Sequence, residues 1–246
     1  QHPMATNSTQ RKKSKLIAPR MDCWFCCASP ACETHLIVSI AQHMYLTAPK
    51  GALSPGHMLI VPVAHLASMA DADPDAREEI RKYKDALRAF YARHDEVPIF
   101  VERCIKTKGP QQHAYIEAIP MPKDAASKLL PGAFAEECKA SKMEFALVEE
   151  SAGGLPVAAP EDRQYFHIEM PSRIELLFAV PPERGSAGGK NMVHLQFARK
   201  VACRVLGCPE RMHWKSCVVG PQVEMQLANE FKGAFGGGGF DWTALE

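Results

Sequence analysis

Short apolar runs separated by turn residues fill the first half of the chain and predict β-strands. Two such runs within 35–49, rich in valine, isoleucine, tyrosine and threonine, predict a hairpin. A turn followed by a buried strand is predicted for 51–65. Two further runs, at 97–104 and 113–122, predict two more strands. The expected result is a small, mostly antiparallel sheet.

Between these strands, 73–94 has the periodicity of an amphipathic helix. Asp73 suits the N-cap and Pro74 suits the first turn. The apolar residues recur every three or four positions and form one stripe, made of Ile80, Tyr83, Leu87, Phe90 and Tyr91. We therefore expect a long helix packed on the sheet, which gives the α+β class.

After Pro122 the pattern changes, and we expect a second, smaller α+β module. The stretch 123–142 predicts short helices interrupted at Pro131 and Gly132, and 151–163 predicts a loop. Two strands and two helices are predicted beyond them, at 164–170, 174–180, 192–207 and 222–235.

These patterns divide the chain into three segments. Residues 1–21 are predicted to be a disordered basic tail or linker, so we interpret the chain as the C-terminal part of a longer protein. Residues 22–125 form the predicted first module and 126–246 the second. Five positive charges lie close together in the tail, at Arg11, Lys12, Lys13, Lys15 and Arg20. Such a run is either a solvated tail or a nuclear-import or nucleic-acid patch.

Composition and net charge indicate the class of protein and limit its candidate partners. Of the 246 residues, 46% are hydrophobic and 23% are charged, which is ordinary for a globular protein with a sizeable core. No apolar run reaches the ~18 residues needed to span a bilayer, and the N-terminus has no signal-peptide core. The net charge of +1 gives no overall field that would favour a nucleic-acid partner.

The nine cysteines are scattered, which favours reduced thiols or metal ligands over a disulfide framework. Cys23 and Cys26 have the two-residue spacing with which two thiolates bind one zinc ion. The alternatives are a redox pair, which the early Pro30 disfavours because a redox pair needs a helix here, and unrelated buried cysteines. Cys27 and Cys32 lie near enough to complicate the assignment.

A closed tetrahedral zinc site needs two more ligands. His65 at the end of one predicted strand and His113 at the start of another are free to reach a metal. The alternatives from the sequence are His57, His35 and His43, and a lone histidine at a strand end is more often a surface or capping residue.

The strand that begins at His113 raises a question of chemistry. His113, Tyr115 and Glu117 occupy alternate positions and are expected to share one strand face. Three histidines at these positions would form a nucleotidyl-transfer motif. The plainer interpretation is that Tyr115 and Glu117 simply line a half-buried strand face.

The segment PGHMLIVPVAH, followed by a helix and a strand that starts with histidine, resembles the histidine-triad superfamily. In the zinc-bearing branch, a Cys-x-x-Cys pair, a histidine after the strand and the first triad histidine bind zinc. The resemblance implies that Cys23, Cys26, His65 and His113 hold one structural Zn²⁺ per chain.

Six motifs in order resemble the paired C-terminal modules of the CwfJ family, the Cwf-nineteen-like splicing factors. They are CWFCCASPACETHLIVSI, KGALSPGHMLIVPVAH, HAYIEAIPMP, YFHIE, LQFARKV and FDWT. The similarity runs from about residue 22 to the end of the chain. It implies a nuclear protein of late, post-catalytic spliceosomes that helps the enzyme debranching the intron lariat. The implied partners are spliceosomal proteins and the backbone of a small nuclear RNA or intron lariat, with no membrane.

The triad resemblance also bears on catalysis. In triad enzymes the middle histidine attacks the α-phosphate, and Tyr115 stands in its place here. A tyrosine with a pKa near ~10 is a poor nucleophile at neutral pH. Glu117 adds negative charge near an anionic phosphate. We therefore expect no catalytic residue and a pseudo-enzyme.

The triad resemblance also implies a pocket whose shape suits a nucleotide phosphate. Four basic residues are expected near its mouth and are candidates for contact with RNA backbone; they are Lys50, Arg103, Lys106 and Lys108. The alternative is that they are ordinary solvated residues. Three functions remain in competition: a silent zinc-stabilised scaffold that binds RNA and proteins, a residual nucleotide hydrolase or transferase, and a pure protein-docking module.

Overall fold

The computed structural model describes residues 18–105, 112–181 and 195–245. The basic residues of the tail before Pro19, and the candidates Lys106 and Lys108, lie outside these ranges. The described strands are β1 (Ile37–Ile40), β2 (Met44–Thr47), β3 (Met58–Pro62), β4 (Glu96–Cys104), β5 (Ile116–Pro122), β6 (Ala146–Val148), β7 (Tyr165–Glu169) and β8 (Glu175–Ala179). The described α-helices are α1 (Pro74–Ala92), α2 (Lys123–Ser141), α3 (Gly154–Ala158), α4 (Phe197–Leu206) and α5 (Pro221–Gly237).

The eight strands form one antiparallel sheet in the order β1-β2-β3-β5-β4-β7-β8-β6. Successive side chains of a strand point to opposite sides of the sheet, so each face has its own apolar core. Helices cover both faces. Phe100 and Ile116 belong to a core shared with α1 and α5, whereas Val101 and Ile119 belong to a core shared with α2 and α4. The predicted α+β class is therefore confirmed.

Helix α1 forms as its sequence pattern predicts. The Asp73 side chain accepts a hydrogen bond from the Ala76 amide at 2.8 Å and so caps the first turn, with Pro74 at the first helical position. The five residues of the predicted apolar stripe are all buried. Their burial against the sheet is what holds the helix in place.

The two predicted modules share one sheet, and the core on each of its faces contains residues from both. Strand β7 of the second half pairs with β4 of the first half, from Phe100 opposite Glu169 to Cys104 opposite Tyr165. Helix α5 inserts Phe231 and Phe235 into the core beneath α1. The division into 22–125 and 126–246 stays a prediction, and any cut there would separate strands and side chains that pack together.

Helix α2 corrects one expectation from the sequence. We expected a break at Pro131 and Gly132, but the helix runs continuously from Lys123 to Ser141. Proline in a helix interior costs roughly 3 kcal/mol. Here Pro131 is exposed, whereas its neighbours Leu130 and Ala133 are buried in the core shared with α4. Burial of that face outweighs the local cost.

Candidate metal centre and adjoining cleft

Four side chains meet at one end of the sheet and form a cluster that could bind a metal ion. They are Cys23, Cys26, His65 and His113, and their ligand atoms all lie within 4.8 Å of one another. The Cys26 Sγ lies 3.2 Å from His65 Nδ1 and 3.6 Å from His113 Nδ1, and the Cys23 Sγ lies 3.6 Å from His113 Nδ1. No other such group occurs in the part of the chain that the structure describes.

Sheet topology brings the two histidines together. Strands β3 and β5 are antiparallel neighbours, so the last residues of β3 and the first residues of β5 lie at the same end of the sheet. His65 follows β3 by three residues and His113 precedes β5 by three, so both flank the strands instead of belonging to them. A hydrogen bond of 2.7 Å from the Ala114 amide to the Leu66 carbonyl ties the two segments together.

The two cysteines lie on a tight turn that covers the histidines. The Phe25 amide donates to Cys23 Sγ at 3.4 Å, and the Arg20 amide donates to Cys26 Sγ at 3.5 Å. These two hydrogen bonds hold both sulfur atoms in position on the turn. Cys27 and Cys32, which complicated the assignment from the sequence, lie outside the cluster.

His113 is held in the form that a metal requires. Its Nε2 donates to the Pro62 carbonyl at 2.8 Å, which leaves the Nδ1 lone pair directed at the cysteines. Burial lowers the pKa of His113 to about 4, so the imidazole is neutral at pH 7. Burial also raises the pKa of the Cys26 thiol, so metal binding must displace a proton there.

The donor set fits zinc. With Zn–S near ~2.3 Å and Zn–N near ~2.0–2.1 Å, a tetrahedral site places sulfur and nitrogen ligands about 3.5 Å apart. The three sulfur–nitrogen distances, 3.2, 3.6 and 3.6 Å, match this geometry. Two thiolates and two imidazoles with no oxygen ligand are also typical of structural zinc.

The other candidate histidines have different partners. His57 accepts a hydrogen bond from the Leu53 amide through Nδ1, and its Nε2 lies 3.5 Å from Glu117. His35 lies 3.5 Å from the carboxylates of Glu33 and Glu224. Neither of these histidines, nor His43, belongs to the cluster.

A cleft of about 510 Å³ opens beside the metal cluster. His113, Tyr115 and Glu117 all line it, as does Phe25, whose ring lies 5.3 Å from that of Tyr115. The opposite wall comes from the second half of the chain and includes Phe166, Leu195, Gln196, Ala198, Arg199 and Trp214. The cleft therefore needs both halves of the chain.

Tyr115 and Glu117 are arranged unfavourably for nucleophilic catalysis. Burial raises the pKa of Tyr115 and outweighs the opposing effect of Arg103, which donates a 3.4 Å hydrogen bond to the hydroxyl, so the hydroxyl stays protonated. For Glu117, burial pushes the pKa upward, but His57, Arg103 and Arg199 together prevail and lower it. The cleft thus offers a neutral phenol and a stabilised carboxylate, neither of which is an activated nucleophile.

The described basic candidates already have partners. Lys50 pairs with the carboxylate of Glu33. Arg103 donates to the Leu195 carbonyl at 3.0 Å as well as to Tyr115. Both line the cleft.

Sequence reasoning missed the contribution of helix α4 to the cleft. Arg199 is buried and donates to the Gly51 carbonyl at 2.9 Å and to the Arg211 carbonyl at 2.9 Å. Gly51 has φ of +66°, and a Cβ there would lie 2.1 Å from the Trp214 carbonyl oxygen, so only glycine fits. An arginine within the apolar stripe of a helix was the one signal in the sequence that could have indicated this contact.

Two family models match the chain. One, described as "Protein similar to CwfJ C-terminal", covers residues 10–135, and the other, "Protein similar to CwfJ C-terminus 2", covers residues 139–243. The chain belongs to the CwfJ family, as the six sequence motifs predicted. The resemblance of the first half to the histidine-triad superfamily stays a prediction.

Curated relatives match most of the chain. The zinc finger CCCH domain-containing protein 64 of Arabidopsis thaliana is 31% identical over 234 residues, which is 93% of this chain and 38% of that protein. The CWF19-like protein 1 of Homo sapiens is 30% identical over 216 residues, 87% of this chain and 38% of that protein. The CWF19-like protein 1 homolog of Drosophila melanogaster is 30% identical over 244 residues, covering 96% and 41%. The chain thus corresponds to only part of each relative.

No described helix has the length and apolarity needed to cross a membrane.

Proposed function

We propose that this chain is the non-catalytic C-terminal part of a pre-mRNA splicing factor of late, post-catalytic spliceosomes. In this role it binds RNA and splicing proteins in the nucleus and promotes debranching of the intron lariat by the lariat-debranching enzyme. Membership of the CwfJ family over both halves of the chain is the observation that carries the proposal.

In this proposal the metal is one structural Zn²⁺ per chain, held by Cys23, Cys26, His65 and His113. Four protein ligands close a tetrahedral site and leave no position for water or substrate, as in structural zinc sites. When bound, the metal would fix the Cys23–Cys26 turn against the ends of β3 and β5. The zinc would therefore stabilise one wall of the cleft and take no part in a reaction.

The absence of catalysis in this proposal rests on the residues of the cleft. Tyr115 replaces the nucleophile of the triad, and its raised pKa keeps it protonated. The nearby His57 accepts a hydrogen bond from the Leu53 amide through Nδ1, and its Nε2 lies 3.5 Å from the Glu117 carboxylate, so it is not placed to activate a nucleophile in the cleft. A residual nucleotide hydrolase or transferase would need a nucleophile from another source.

Contact with RNA backbone is proposed through Lys50 and Arg103, which line the cleft, and through Lys106 and Lys108, which lie outside the described residues. The RNA is a small nuclear RNA or the intron lariat. Such contacts are independent of sequence and sensitive to salt. Because the net charge is +1, the isolated chain should bind weakly, and neighbouring spliceosomal proteins raise the effective RNA concentration.

The test is a titration of RNA binding at several salt concentrations, with branched and linear RNA. Replacing Lys106 and Lys108 together by alanine should lower the log–log salt slope by about 1.4, because each single-strand phosphate contact contributes ~0.7. The matched control replaces two exposed lysines that do not line the cleft, Lys139 and Lys232. An unchanged slope in the first variant would favour the alternative of a pure protein-docking module, which the existing pairing of Lys50 with Glu33 also favours.

A further inference from the structure

The basic side chains that line the cleft already have partners within the protein. Four arginine and lysine side chains line its described walls, and each already has a partner. Arg20 pairs with Asp22 at 3.0 Å and Lys50 pairs with Glu33. Arg103 and Arg199 donate to main-chain carbonyl groups. The cleft is therefore a weak site for a free phosphate group, which would need charged donors that are not already engaged.

Two tryptophan side chains, Trp24 and Trp214, give the cleft aromatic surface. Trp24 lies between the two cysteine ligands, lines the cleft and is 55% exposed. Within the described residues no hydrogen bond or ring contact engages its indole. Trp214, from the second half of the chain, lines the same cleft. Aromatic side chains that line a cleft are typical of ligand-binding sites.

The position of each tryptophan is defined by a separate structural feature. Trp24 is the residue after Cys23 in the metal-binding turn, which the Phe25 and Arg20 amides brace. The main-chain carbonyl oxygen of Trp214 packs against Gly51. Both indoles therefore belong to anchored segments, which lowers the entropy cost of binding a flat ligand.

A flat ligand with a π-face and little charge of its own suits these walls. A nucleobase has both properties, and bases stack on aromatic side chains in a way that tolerates any sequence. A free nucleotide carries its charge on a terminal phosphate, which this cleft does not match. A base within a single strand leaves its phosphates outside, near the mouth.

We propose that Trp24 and Trp214 form a stacking subsite that takes one unpaired base of single-stranded RNA into the cleft. This inference rests on the proposed function, and it assigns the RNA contact to stacking in the cleft in addition to charge at its mouth. The subsite is complete only when both halves of the chain are present.

The experiment is a fluorescence-anisotropy titration of the full chain, with zinc bound, against labelled single-stranded oligouridine or oligoadenosine of about ten nucleotides. Trp24→Ala and Trp214→Ala should each weaken binding roughly 5- to 150-fold, with an unchanged salt slope. Trp24→Phe should bind nearly as the parent does, because it keeps an aromatic face. Leu147→Ala is the control, since Leu147 is 59% exposed and does not line the cleft.

The outcomes separate this inference from the proposed function. Parent-like binding by both alanine variants would overturn the stacking subsite and leave RNA binding intact. Equal affinity for the matching duplex, or competition by adenosine monophosphate at a similar concentration, would also overturn it, since the occupant would not be an unpaired base in a strand. Failure of the parent to bind any RNA would overturn the proposed function as well. If Trp24→Ala loses zinc, the comparison of Trp24→Phe with Trp214→Ala decides the question.

Discussion

The two faces of the sheet carry the same kinds of side chain in different surroundings. On the face beneath α1, Glu102 is 1% exposed and accepts hydrogen bonds from the Met69 amide at 2.8 Å and the Tyr165 hydroxyl at 2.9 Å. On the opposite face, Glu117 and Tyr115 line an open cleft, and the Glu117 side chain is 25% exposed.

This difference separates structural roles from functional ones. On the α1 face the Glu102 carboxylate has partners within the protein, and the core there combines residues from both halves of the chain. The cleft face brings the four-residue metal cluster, the exposed Trp24, the half-buried Trp214 and a charged carboxylate to one opening. We therefore expect changes on the α1 face to affect folding alone, and changes on the cleft face to affect metal or ligand binding.

The largest effect is expected at the metal cluster. Cys26→Ala should abolish zinc binding and unfold the turn that covers the two histidines, because structural zinc contributes roughly 10 kcal/mol or more of folding free energy. Cys27→Ala is the matched control, since Cys27 is exposed and lies outside the cluster. Zinc content and thermal unfolding measure both variants. Full zinc content in Cys26→Ala would contradict the assignment.

The next effect lies in the core beneath α1. Phe235 is fully buried and packs against Phe90, with the two ring centroids 5.6 Å apart. Phe235→Ala should lower the free energy of unfolding by about 3–5 kcal/mol, as for other buried phenylalanines, while zinc content stays unchanged. Denaturant unfolding measures the loss, with exposed Leu129→Ala as the control. Two separate unfolding transitions, only one of them shifted, would show that the halves fold independently.

The two carboxylates should give pH effects of opposite sign. Burial raises the pKa of Glu102 from 4.5 to about 7, so its stabilising contribution is complete below pH 4.5 and is lost as the pH rises through 7. The loss is on the order of 3 kcal/mol. Glu102→Gln should remove this dependence, because the amide resembles the protonated carboxyl and the Tyr165 hydroxyl can turn to Ser68, 2.7 Å away.

Glu117→Gln provides the comparison on the cleft face. The pKa of Glu117 is lowered, so its contribution is present above pH 4.5 and is lost as the pH falls further. Unfolding by denaturant between about pH 3 and pH 8 would measure both variants. The same direction of change in both variants would contradict the proposed difference between the faces.

The smallest expected effect is on catalysis. The parent should not hydrolyse nucleoside phosphoramidates or dinucleoside polyphosphates, and Tyr115→Phe should leave the rate at that of the buffer. A nucleotide assay with each substrate class is the measurement. Turnover above the buffer rate that disappears in Tyr115→Phe would make the tyrosine a nucleophile and would overturn the pseudo-enzyme interpretation.

The sequence predicted those features that depend on local patterns. Helix α1 was recognisable from its cap and its apolar stripe, and the cysteine pair from its two-residue spacing. The continuity of α2 across Pro131 was not predictable, because packing against α4 provides the compensating energy. Strand β6 was missed because it is only three residues long, with Leu147 exposed on its surface.

The cleft, which is formed by both halves of the chain, could not be predicted from the sequence either. Arg199 and Trp214 reach it from the second half of the chain, and only the three-dimensional packing around Gly51 brings them near Tyr115. No local spacing relates positions so far apart. The choice of His65 and His113 over the other histidines likewise came from a family resemblance and not from spacing alone.

The most direct test of the account is the metal content of the purified chain, combined with X-ray absorption at the zinc edge. The account predicts one tightly bound zinc per chain, with two sulfur ligands at ~2.3 Å and two nitrogen ligands at ~2.0–2.1 Å. A zinc content below about half an equivalent, or a first shell dominated by oxygen, would contradict it.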